Sequence, residues 1–138
     1  MRKIHLCLLI FLMALIMGAC SGESEQTDVP ETIIQVTNNT AHQITSIELK
    51  LYQNDMVQAS PTAMNADESL IDSGTGVEFE ILTQDIDFGE PVTIEAVAMI
   101  DGVEKSAGHT EPMDLVPGES YQFELSGDGE LQFGDMEQ

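Results

Sequence analysis

Side-chain catalysis needs a nucleophile beside a base, or two carboxylates at controlled spacing whose pKa values are pushed apart. The chain has 25 acidic residues but only three histidines and two cysteines, and no tryptophan. It holds no Gly-x-Ser-x-Gly, no His-Glu-x-x-His, no Ser-x-x-Lys and no phosphate-cradling glycine loop. No carboxylate is singled out by a motif, so the expectation is a protein that is not an enzyme and needs no cofactor. His42 and His109 stand without the Cys or His spacing of a zinc site and read as loop or strand-edge residues. A sharper alternative joins His109 to Met113, with Met56 or Met64, since imidazole and thioether suit copper in an oxidising compartment. Asp85-Ile86-Asp87-Phe88-Gly89-Glu90 has the composition of a calcium loop, with Asp85 and Asp87 on one side. Gly89 comes one position early and no glutamate follows at the required distance, so an ordinary solvated loop is the plainer reading. Asp67-Glu68 and Asp128-Gly129-Glu130 have less to recommend them.

The cysteines carry a different chemistry. Arg2 and Lys3 precede an apolar run, unbroken from Leu6, that ends at Met17. The run has the length of a signal-peptide core and not of a membrane span, which takes about 20 apolar residues. Met17-Gly18-Ala19-Cys20 then resembles the lipobox of bacterial lipoproteins, with Met17 where leucine is usual. The resemblance implies a signal peptide over residues 1–19, removed in front of Cys20, and lipidation of Cys20, with diacylglycerol on its sulfur and palmitate among the acyl chains. It also implies an address in the cell envelope. Because Ser21 and not aspartate follows, that means the outer membrane in a two-membrane bacterium and the outer face of the plasma membrane otherwise. Cys7 leaves with the signal, so the exported domain has neither disulfide nor free thiol.

After Cys20, Lys50 and Lys105 alone oppose the 25 acidic side chains, a net charge of −23. A polyanion repels DNA, RNA and anionic head groups, so nucleic acid is excluded as a partner and lipid alone supplies membrane attachment. The charge is read as a solvated surface, with weak cation capture as the alternative. Residues 20–31 are polar and acidic and read as a disordered tether reaching roughly 30 Å at about 3.3–3.6 Å per residue. The remaining residues, 32–138, make one domain.

From Thr32 onward apolar residues alternate, the period of half-buried strands. The stripes are Ile34 and Val36; Ile47, Leu49 and Leu51; Val77, Phe79 and Ile81; Val92, Ile94, Ala96, Ala98 and Ile100; Tyr121, Phe123 and Leu125; and Leu131 with Phe133. The fourth also carries Val97 and Met99 and reads as a central strand buried on both faces. Asp101-Gly102 suits a two-residue hairpin, and Pro117-Gly118, Asp128-Gly129 and Asn38-Asn39-Thr40 mark further reversals. Residues 56–72 read as a long loop with room for one helical turn. Tyr52 and Phe88 lie out of phase with the stripes, which makes them the first places to look for a partner surface.

About seven strands without crossover helices predict an all-β fold: an antiparallel immunoglobulin-like or transthyretin-like sandwich, with an antiparallel barrel as alternative. Val36-Thr37-Asn38-Asn39-Thr40, Ile47-Glu48-Leu49 and Ala96-Val97-Ala98-Met99-Ile100-Asp101-Gly102 resemble the opening and the late hairpin of small exported bacterial sandwich domains. That resemblance implies a fold and no activity. The expected function is a membrane-anchored envelope lipoprotein with a non-catalytic binding or structural domain. The alternatives are a calcium- or copper-binding module, or an interaction domain that adds a partner's strand to an open edge, where Pro61, Pro91, Pro112 and Pro117 would interrupt pairing.

Overall fold

The computed structural model describes residues 32–136, which form an all-β fold of nine strands. In chain order these are β1 (Thr32–Asn38), β2 (Ile44–Gln53), β3 (Met56–Ala59), β4 (Thr62–Met64), β5 (Gly76–Ile81), β6 (Thr93–Ile100), β7 (Val103–His109), β8 (Ser120–Ser126) and β9 (Gln132–Asp135). One sheet has the order β5-β1-β8-β9. The other has the order β3-β2-β6-β7, with β4 also paired to β2. Each sheet keeps its own edges, so the fold is a sandwich and not the closed barrel held as the alternative.

Alternation builds the interior as expected. Every second residue of β1 is buried, and β2 repeats the pattern through Ile47, Leu49 and Leu51. Ile34, Val36, Phe79, Ile81, Phe123 and Leu125 of one sheet join Ile94, Ala96 and Ala98 of the other in a single cluster, each large side chain contributing about 1.5–3 kcal/mol by burial. Across β2 and β6, Leu49 stands opposite Ala96 and Ile47 opposite Ala98, so large and small side chains share the available width. β6 is central, as read, but only one of its faces is fully covered: Thr93, Glu95 and Met99 on the second face stay half-buried, and Val97 alone is buried there.

Two further expectations are corrected. The pairing is not antiparallel throughout, because β1 lies between β5, antiparallel to it, and β8, parallel to it, with Val36 opposite both Val77 and Phe123. Periodicity reports which face a residue shows and is blind to strand direction. Residues 56–72 hold β3 and β4 and no helical turn. Both strands lie at a sheet edge with little buried side chain, so they leave no period-two signal.

The reversals have local causes. Asp101 (φ 52°) and Gly102 (φ 75°) make the two-residue hairpin that sets Ile100 opposite Val103. Asn54 (φ 51°) and Asp55 (φ 62°) make a second one between β2 and β3, legible in residue types that tolerate the left-handed region. At Gly127 (φ 100°) a Cβ would collide with the Glu130 carbonyl oxygen, so only glycine fits.

Four connections pass between the sheets, and two buried amides hold three of them. Asn38, fully buried, donates from Nδ2 to the Ile71 carbonyl at 2.7 Å and accepts at Oδ1 from the Thr40 N–H and hydroxyl at 3.0 and 2.8 Å. This clamps residues 39–43 to residues 65–75. Gln53 accepts from the Asp87 N–H at 3.0 Å and donates to the carbonyls of Asp87 and Glu90 at 2.7 and 3.0 Å, fixing residues 82–92. Replacing Asn38 by alanine leaves the Ile71 carbonyl and the Thr40 donors buried without partners, and should lower unfolding free energy by about 2–4 kcal/mol. Asn39, exposed and with its side chain bonded only to Glu124, should cost less than about 0.5 kcal/mol on the same change. Urea midpoints at unchanged m-value measure both.

Candidate functional site

The outer face of the β2-β6-β7 sheet carries a row of polar residues set by strand register. Lys50 on β2 and His109 on β7 are the direct cross-strand partners of Glu95 on β6. β7 is irregular here: three steps from Ser106 to His109 span the two from Val97 to Glu95, with Gly108 at φ 96°. This bulge turns Ala107 inward, where it is buried, and sets Ser106 and His109 on the same outer face beside Glu95.

Glu95 is the centre of the row. One carboxylate oxygen accepts from the Tyr52 hydroxyl at 2.7 Å and the other from the Ser106 hydroxyl at 2.7 Å. The bond from Tyr52 first, then that from Ser106, holds the Glu95 carboxyl below the ordinary glutamate value, against partial burial and with help from the charges of Lys50 and His109. The same bond, seen from the donor, pushes the Tyr52 hydroxyl above 10.0, with burial and the negative charges of Glu95 and Glu48 adding to it. Both groups move away from neutrality, where a general acid or base would be tuned toward it. The pair is suited to fixed electrostatics and hydrogen bonding.

Tyr52, Thr93, Glu95 and His109 form the floor of a cleft of about 650 Å³. The β2–β3 turn supplies Asn54 and Asp55, the start of β6 is preceded by Glu90 and Pro91, and Thr110, Glu111 and Pro112 follow β7. Thr110 keeps this last segment in place: its N–H donates to the Ile94 carbonyl at 2.9 Å and its hydroxyl accepts from the Ile94 N–H at 3.1 Å.

The residues singled out in the sequence are distributed as follows. His109 is exposed on the outer face, whereas Met113, four positions on, pairs with Val92 and packs against the core. Met56 lies at the β2–β3 turn and Met64 on β4, both exposed, so these four are not gathered at one point. Asp85 accepts the Leu82 N–H at 2.8 Å and Asp87 the Gly89 N–H at 2.8 Å, each closing its own turn. Asp67 likewise accepts the Ser69 N–H at 3.1 Å, and the Ser69 hydroxyl first, then this N–H, lower its pKa. Among the described residues no three His, Cys, Asp or Glu side chains are placed to share a metal ion. His42 lies half-buried in the β1–β2 connection, and Asn38, first residue of Asn38-Asn39-Thr40, is an interior anchor. Of the two out-of-phase aromatics, Tyr52 lines the cleft and Phe88 packs against the core. Cys20, the signal segment and the tether lie outside the described residues. Among the latter no helix is long and apolar enough to cross a membrane.

No family model matches this chain, and no curated protein is similar to it in sequence. Among solved structures it is similar to the NMR structure of a protein from Eubacterium rectale, with 14% identity over 79% of this chain and 91% of that one and a TM-score of 0.45. It is also similar to the human-specific toxin intermedilysin, with 9% identity over 77% of this chain but 23% of that one and a TM-score of 0.40. Likeness at this level assigns neither family nor activity.

The Tyr52–Glu95 bond predicts opposite pH limits. Glu95, with its folded pKa lowered, adds stability above 4.5 that is lost as pH falls through the folded value. Tyr52, with its folded pKa raised, adds stability below 10.0 that is lost as pH rises through the folded value. In Glu95→Gln the Tyr52 pKa should fall toward 10.0, followed by the carbon-13 shift of its Cζ.

Proposed function

We propose that this protein is an envelope lipoprotein: residues 1–19 are the signal, Cys20 carries the lipid, residues 20–31 are the tether, and the sandwich is a non-catalytic binding module. The single observation behind the anchor is the sequence Met17-Gly18-Ala19-Cys20 directly after an uncharged apolar run. The geometry of the sandwich supports suspension from one end. Thr32, the first residue of β1, is buried, and its hydroxyl donates to the Val116 carbonyl at 2.9 Å. The next N–H, of Ile33, donates to the Glu119 carbonyl at 3.1 Å. The domain is thus firmly gripped at the point where the tether reaches it.

The binding reading rests on the cleft. The connections 82–92 and 110–119 run from its walls to residues flanking the start of β1, where Thr32 stands opposite Ile81 and Ile33 opposite Ser120. The cleft and the tether therefore share one end of the sandwich, and a ligand held there would be presented toward the membrane. Fixed hydrogen-bonding groups with pKa values driven from neutrality favour recognition over proton transfer.

Expressed in a lipoprotein-processing bacterium, the chain should reach the membrane fraction with Cys20 as its N-terminus bearing diacylglycerol. Cys20→Ala should accumulate as an unprocessed precursor. Mass spectrometry of the N-terminal fragment decides the matter, and an unmodified terminus at another residue would overturn the anchor.

A further inference from the structure

We infer that the cleft over Tyr52 and Glu95 binds an organic cation, an alkylammonium or guanidinium group carried on an apolar body; this rests on reading the sandwich as a binding module and not on the lipid. The starting point is shape. At about 650 Å³ the concavity falls within the size of small-molecule sites, roughly 300–1,000 Å³. Its chemistry is one-sided. Asp55, Glu90, Glu95 and Glu111 line it, no lysine or arginine does, and His109 is the one basic side chain. Pro91 and Pro112 have no N–H and the Tyr52 hydroxyl is spent on Glu95, which leaves Asn54, Thr93, His109 and Thr110 as the side-chain donors of the lining. An anion would meet four like charges, whereas a ligand rich in N–H groups meets acceptors on several sides.

Arrangement separates an organic cation from a metal ion. Asp55, Glu90 and Glu111 stand on three different segments around Glu95, and among the described residues no three of these carboxylates, with or without His109, are placed to share an ion. Spread acceptors suit a ligand several bonds long. The tyrosine ring and the two prolines give its carbon skeleton apolar contact, and an aromatic face is itself favourable to ammonium and guanidinium. Glu95, held ionised by two hydroxyl donors and flanked on the neighbouring strands by Lys50 and His109, is preorganised.

The full chain in detergent micelles, at 150 mM NaCl, is titrated with spermidine and, separately, with a capped Gly-Lys-Gly peptide, by calorimetry and by amide shifts. Saturable one-site binding with shifts centred on Tyr52, Thr93 and Thr110 is expected, and the tighter probe tells a free polyamine from a basic side chain. The exposed pair Glu90→Gln with Glu111→Gln should weaken it at least tenfold. Glu78→Gln with Glu80→Gln, the same charge change on exposed β5 positions of the other sheet, should change it less than twofold. Equal weakening by both pairs would show mere attraction to a polyanion and overturn the assignment, as would absence of saturation or tighter binding of calcium at the same amides. Each result reads the same whether or not Cys20 is acylated, so failure here leaves the anchor standing and failure of the anchor leaves this site intact.

Discussion

Two side-chain amides, Asn38 and Gln53, make the sandwich possible as a sandwich. The two apolar faces attract without direction, so burial alone would accept many ways of laying one sheet on the other. What chooses among them is where the chain crosses over, and a crossing segment brings backbone N–H and C=O groups toward the interior that need partners. An amide has a donor end and an acceptor end on one short stem, which lets it stand in for a strand. Asn38 and Gln53 do this at opposite ends of β1 and β2 and leave neither their own amides nor the loop groups facing them unpaired. A carboxylate could not donate, and a hydroxyl could not span both partners.

This explains how much of the fold was legible in the sequence. Residues packed on one face repeat every second position, and the stripes from Ile34 to Phe133 announced both sheets and the central place of β6. β3 and β4 were invisible because edge strands with solvent on most sides need no stripe: Met56, Val57 and Met64 are exposed apolar residues in a stretch without charge. Strand direction was invisible for another reason. A parallel and an antiparallel neighbour bury the same residues of β1, so the ladder to β8 could only come from the pairing itself.

The site shows the same division. Tyr52 stood out by phase, since its neighbours Leu51 and Gln53 point inward and it does not. Glu95 did not stand out, being one of many acidic residues at outward strand positions, and its role comes from three strands meeting. His109 was noticed, but by its spacing along the chain. Counting along the chain pairs it with Met113, but the Gly108 bulge sends His109 outward while Met113, bridged to Val92, packs against the core. One inserted residue thus decides which face the imidazole serves, and bulges carry no composition signal beyond a glycine.

Among the many acidic residues, at first sight the dominant property of the chain, two kinds of bonded carboxylate differ in their physics. Asp67, Asp85 and Asp87 spend a carboxylate oxygen on the backbone N–H of a nearby residue, so each closes a turn that would otherwise leave a donor free. Glu95 spends its oxygens on side-chain hydroxyls from two other strands, which ties it to tertiary and not to local structure. The first kind is explained once the turn is explained. The second is not, because a lone carboxylate half-withdrawn from water is costly, and a threonine or glutamine there would keep the strand without that cost. Its two donors lower the cost and hold it ionised, beside a cleft whose other charges have the same sign. Lys50 answers Glu95 from the neighbouring strand, but no lysine or arginine reaches the cleft lining, so the negative potential of Asp55, Glu90 and Glu111 remains where a cation from outside can use it.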